Sequence, residues 1–166
     1  MKRLICLAMV AMLCVMSVCS SALAVAATYP TTQSFVSVLD DNDIMYTLVG
    51  LVDGDNEKVT VSNQGEEFSY TINYFFDVDQ EITNIRVWDI ITYDPANLAD
   101  VVYACNVVNS RYNFARFYAD ESDNTVTCAM DVIYLTEDAG EVVMNSTLYL
   151  VSVLDAGYAI LKEYNQ

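Results

Sequence analysis

"CNVVNSRYNFARFYADESDNTVTCAMDVIY", Cys105 to Tyr134, is where the hydrophobic period of the chain changes, and that change decides the fold. Leading into it, Leu98, Val101, Val102, Cys105 and Val108 recur at i, i+3, i+4, i+7 and i+10, the buried stripe of an amphipathic helix. Asp94 is its expected N-cap, and Pro95 takes the first helical position, where a missing N–H costs nothing. Asn109-Ser110 ends the helix. From Phe114 the period becomes two. Phe114 to Ala119 and Thr125 to Tyr134 read as strands joined by the tight turn "DESDN", with Val126, Cys128, Met130 and Val132 on one face.

The rest of the chain follows the same grammar. Thr31 to Asp40 carries Phe35, Val36 and Leu39 and fits a short helix closed by the acidic patch Asp40-Asp41-Asn42-Asp43. Ile44 to Val52 and Val59 to Val61 are strands around the turn "DGDNEK", Asp53 to Lys58. In "FSYTINYFF", Phe68, Tyr70, Ile72, Tyr74 and Phe76 form a nearly all-aromatic face that must pack against something. A strand at Ile82 to Thr92 holds Arg86 and Trp88. From Glu137 onward, Met144, Thr147, Leu148, Val151, Leu154, Tyr158 and Leu161 keep helical spacing, and the length without a turn outweighs the β-branched residues of Val142 to Leu154. The order α-β-β-β-β-α-β-β-α implies an α+β domain, an antiparallel sheet packed by helices.

The N-terminus has a different character. Lys2 and Arg3 precede an apolar run from Leu4 to Val18 and then small residues, "CSSALAVAA", the pattern of a secretory signal peptide. Cleavage is expected after Ala24, Ala26 or Ala27, and the pattern does not choose among them. The rival is an uncleaved membrane anchor, since Leu4 to Ala27 holds no charge. The expected organisation is therefore a signal peptide at 1–27 and a single domain at 28–166, exported to the periplasm, cell surface or medium. A domain of that size buries about two-thirds of its unfolded surface and needs no metal or disulfide to fold. It carries five basic and 23 acidic side chains, a net charge of −18. That field disfavours nucleic acid and anionic membranes as partners. Cys6, Cys14 and Cys19 leave with the leader, and the remaining pair, Cys105 and Cys128, both inward-facing, permits one disulfide or two buried thiols.

Cys105 to Tyr134 also resembles the central motif of the YbjN domain family: a helix ending in Asn-x-x-Asn, a short basic-aromatic turn, and a strand pair with a late Asp. The matching positions are Asn106, Asn109, Arg111, Phe114, Tyr118, Asp120 and Asp131. "FSYTINYFF" and the closing helix, Glu141 to Tyr164, extend the resemblance over Gln33 to Tyr164. It implies a type III secretion chaperone-like fold, found in small acidic α+β dimers that hold partner polypeptides. The family's name, a sensory transduction regulator, carries little mechanism, and no catalytic residues transfer from it. Export departs from the cytoplasmic chaperones of that fold.

Chemistry is sparse. The chain has no histidine, which removes the commonest general base and the commonest nitrogen ligand of zinc. No Gly-x-Ser-x-Gly elbow is present. "DGDNEK" begins like a calcium loop, but Lys58 stands where that loop needs glycine and Gln64 where it needs glutamate. Asn145-Ser146-Thr147 matches a glycosylation sequon but falls inside the expected helix. The expectation is a non-enzymatic domain without cofactor or metal, a possible homodimer, binding a protein or peptide. The alternative is a small-molecule or cation sensor resting on the acidic loops. The partner-binding candidates are Asn109, Arg111, Tyr112 and Arg116, cations and aromatics interleaved on a strongly acidic chain.

Overall fold

The computed structural model describes residues 26–52 and 55–166. The expected leader through residue 25, including the site after Ala24, and the turn residues Asp53-Gly54 lie outside it. Three helices cover one face of a six-stranded antiparallel sheet. The elements in chain order are α1 (Pro30–Asp41), β1 (Thr47–Val52), β2 (Asn56–Gln64), β3 (Ser69–Phe76), β4 (Ile82–Val87), α2 (Leu98–Arg111), β5 (Ala115–Asp120), β6 (Thr125–Ile133) and α3 (Ala139–Leu161). The expected order and fold class hold. The sheet order is β1-β2-β3-β4-β6-β5, so β6 returns inside β5 and pairs with β4.

One core fills the space between sheet and helices. Phe35 and Leu39 come from α1, Val101, Ala104, Cys105 and Val108 from α2, and Val143, Leu150, Val153, Leu154 and Leu161 from α3. The aromatic face of β3 meets them: Phe35 lies 4.7 Å from the Tyr74 ring and 5.5 Å from Phe76. Thr147 Oγ1, bonded to Val143 C=O at 2.8 Å, lies 3.2 Å from Tyr74 Oη and gives the buried phenol a hydrogen-bond partner. α1 crosses α3 at Gly140, where a Cβ would stand 2.5 Å from the Ser34 carbonyl oxygen. The segment Thr136–Tyr164 is long and apolar enough to cross a membrane by length and composition, and in the fold its inner side is core.

Several expectations shift in detail. Val102 is 42% exposed, and Ala104 takes its place in the buried stripe of α2. In α3, Leu148 is exposed and Met144, Val151 and Tyr158 only half-buried, while Val143, Leu150 and Val153 face inward. That helix is apolar nearly all round, so its sequence has no polar stripe to fix the phase. Asn56, Glu57 and Lys58 belong to β2 and not to the turn. β4 stops at Val87, because Trp88 and Asp89 leave the ladder, Asp89 with φ of 56°. α2 runs two residues past Asn109, to Arg111. Cys105 and Cys128 are both buried free thiols. Burial lifts the Cys105 thiol to about 11 and the Cys128 thiol to about 12, and a protonated thiol does not attack another sulfur.

Candidate functional site

The four candidate residues do not converge. Asn109 is committed to the fold: its side-chain oxygen accepts from Phe117 N–H at 2.8 Å, and its amide donates to Phe117 C=O at 2.8 Å. It thus occupies the outer edge of β5 as a neighbouring strand would. Arg111 is exposed in the last turn of α2, where a cation suits the helix dipole. Tyr112 is the C-cap of that helix, half-buried against the core. Arg116 lies on the opposite side of the sheet, exposed, with Nη1 donating to its own neighbour's carbonyl, Ala115, at 3.1 Å. No carboxylate pairs with it among the described residues; the two ion pairs there are Arg86–Asp131 and Lys162–Glu67.

Arg116 has company that the sequence alone did not reveal. Register places Thr47, Thr60, Asn73, Arg86, Ala129 and Arg116 in one row across all six strands. Ala129 is the small residue between two arginines. Asp131, two residues along β6, is diagonal to both, a separation that long side chains span. It takes Arg86, whose Nη1 lies 3.0 Å from its carboxylate, and leaves Arg116 free. Lys58 stands on the same face with its ammonium 5.3 Å from the Phe75 ring and 5.2 Å from Trp88. Three of the five basic residues beyond the leader therefore share the uncovered face of the sheet. They come from three different strands, so only the register reveals the grouping.

The second feature adjoins Asp131. β5 pairs with β6 only as far as Ala115 opposite Met130, because Phe114 turns away with φ of 71°. Asp131, Val132 and Ile133 continue in register with Asn84, Thr83 and Ile82 of β4 but have no strand on the other side. Antiparallel alternation fixes which main-chain groups are left over. Since Phe117 presents its N–H and C=O outward to Asn109, Arg116 faces β6 across Ala129, and Asp131 and Ile133 face the vacant position. A groove of about 580 Å³ lies there, bounded by Phe114, Ile133, Val142 and Tyr149 with Asp131, Asn145 and Ser146 at its rim. Phe114 is 72% exposed and Ile133 75%. Phe114 stands edge-on to Tyr149 at 6.4 Å, and Tyr149 Oη donates to Asn113 C=O at 2.8 Å, which fixes the wall.

The remaining motif residues hold the hairpin. Asp120 accepts from Ser122 N–H at 3.0 Å and Ser122 Oγ at 2.6 Å, and those donors hold its carboxyl below the usual range. Among the described residues, no three Cys, Asp or Glu side chains gather as a metal site would require.

Neither a known family model nor a curated protein matches the sequence. Among solved structures, the crystal structure of YbjN from E. coli, described as a candidate transcription regulator, is similar. The TM-score is 0.51 at 12% sequence identity, over 77% of this chain and 91% of that chain. At that identity the likeness is one of fold alone. This chain has a YbjN-like α+β fold.

Proposed function

We propose that this chain is an exported, non-enzymatic YbjN-like domain that binds a protein or peptide partner in a regulatory or chaperone-like role. The observation that carries the reading is the vacant strand position beside Asp131–Ile133, walled by exposed Phe114 and Ile133. An extended segment laid there gains main-chain hydrogen bonds from β6 and apolar contacts from α3, the two ingredients of strand addition. Ordinary proteins blunt such edges, and this fold does so at Phe117 but not here. Arg116 on the adjoining face supplies hydrogen-bond donors for a partner's carboxylates or carbonyls, while Arg86 is held by Asp131. The non-enzymatic reading is supported by composition, since the chain has no histidine to serve as a general base, and by the burial of Cys105 and Cys128 as free thiols.

Capture from the host's surface and secreted fractions tests this, with the domain immobilised as wild type and as Ile133→Lys. Ile133 is exposed, so the substitution leaves the core intact. A protein retained by the wild type and lost on the variant is expected. Equal retention on both, or none on either, contradicts a partner in this groove.

A further inference from the structure

Glu57 is the only buried carboxylate among the described residues, with no exposed surface. It sits on the core face of β2 opposite Phe76. Its Oε1 accepts from Thr28 N–H at 2.5 Å and its Oε2 from Tyr29 N–H at 2.8 Å. Neither ion pair of the described residues includes it, and Lys58, its neighbour, projects from the other face of the strand. The other charges that act on Tyr29 at this corner, Asp55 and Asp77, are acidic as well. Around it the entry segment is pinned: Gln33 Nε2 donates to Ala27 C=O at 2.9 Å, and Tyr29 Oη donates to Asp55 C=O at 2.5 Å. A buried negative charge is thus held against the first main-chain nitrogens of the domain, with the Thr28 and Thr32 hydroxyls also favouring the ionised carboxyl, neutral dipoles where a cation would satisfy it better.

We propose that the chain is processed between Ala27 and Thr28, and that the new α-ammonium of Thr28 forms an ion pair with Glu57. An endopeptidase of the signal-peptidase class adds water across the Ala27–Thr28 amide. The C–N bond breaks, Ala27 takes the hydroxyl as a carboxylate, and the Thr28 nitrogen leaves as an amine that is protonated at neutral pH. That nitrogen is the atom already bonded to Oε1. Cleavage after Ala26 leaves the ammonium one residue upstream, and cleavage after Ala24 three residues upstream; in both cases Glu57 keeps a neutral amide. The pattern of the leader does not choose Ala27 over Ala24 or Ala26, so the choice rests on Glu57. The bond is anchored in the fold, so cutting precedes folding and the ammonium docks as the domain closes. This inference rests on the export reading and is independent of the partner groove.

Two measurements test it. Mass spectrometry of the protein recovered from its host's exported fraction is expected to find a chain beginning at Thr28. A start at Val25 or Ala27 overturns the proposal and leaves export standing, whereas an intact, cell-retained chain overturns both. Separately, chains made to begin at Thr28 are melted with the α-amine free and with it acetylated. The ammonium, raised above the ordinary α-amino pKa of about 7.7–8.0, stabilises below that pH and loses its effect as pH rises through the raised value. The free-amine chain is expected to melt roughly 3–6 °C higher at pH 6, the gap closing by about pH 10. Glu57→Gln is expected to abolish the gap. Equal melts of the free and acetylated chains at pH 6 overturn the ion pair.

Discussion

Asn109 grips Phe117 at both main-chain atoms, and through that pair the end of α2 is fastened to the edge of β5. The amide is the only side-chain group with a donor and an acceptor spaced to replace a strand. Asn109→Ala removes both bonds and leaves a part-buried N–H and C=O without partners, which costs about 2 kcal/mol. A melt is expected to fall by roughly 6 °C. Asn109→Asp keeps the acceptor and loses the donor, so it falls between wild type and alanine. A neutral alanine variant would show that the grip is dispensable.

The ring of Phe117 is held from the opposite side by α3. A Cβ at Gly157 would lie 2.6 Å from Phe117 Cζ, closer than van der Waals contact allows. Gly157→Ala therefore costs about 1–3 kcal/mol despite alanine's better helix propensity. Phe117→Leu in the same chain opens the space and recovers much of that loss. Denaturant melts of the two single variants and the double variant form the cycle, and strict additivity would show that the contact is not the cause.

These contacts mark where legibility ends. Cys105 to Tyr134 disclosed helix, strand, turn and strand because each element is amphipathic and the period changes between them. α3 disclosed its existence but not its phase. The positions that decide its rotation, Gly140 and Gly157, are identified by what they lack, and an absent side chain carries no hydrophobic signal. Glu57 looked like turn chemistry in "DGDNEK", since no local pattern shows that Thr28 and Tyr29 will meet it from 28 residues away. The same holds for Arg86 and Arg116, which become neighbours only through register. Of the candidates, Arg116 alone joins that group; Arg86 and Lys58, which no local pattern singles out, enter it through the sheet.

The two thiols give a pH-dependent stability. Burial raises Cys105 to about 11 and Cys128 to about 12, against an ordinary value of 9.0. A group with a raised folded value stabilises fully below its unfolded pKa and loses that contribution as pH rises through the folded one. Stability is expected to decline from pH 9 towards pH 11, by on the order of 1 kcal/mol per pH unit for each thiol. Cys128→Ala shallows the slope if the thiols are responsible. At pH 8 a thiol reagent should label the native chain at least about 100-fold more slowly than the unfolded one, from thiolate fraction alone. Rapid labelling of native protein would mean that the thiols are reached without unfolding.

Phe114 combines two costs that a purely structural residue would avoid. It is a large apolar side chain left 72% exposed, and its φ of 71° lies in the left-handed region. Such a conformation costs a non-glycine residue about 1–3 kcal/mol. The turn at Phe114 ends β5 and opens the position beside Asp131, so strain and vacancy have one origin. Phe114→Gly relieves the backbone, and the domain is expected to gain roughly 1 kcal/mol, less the lost edge contact with Tyr149. The same substitution removes the groove wall, and retention of the captured partner should fall by at least about tenfold, the equivalent of 1.4 kcal/mol. Phe114→Ala keeps the strain and loses the wall, so it is weaker in both respects. A glycine variant that is more stable and binds as well as wild type would mean that Phe114 is strained without serving the groove.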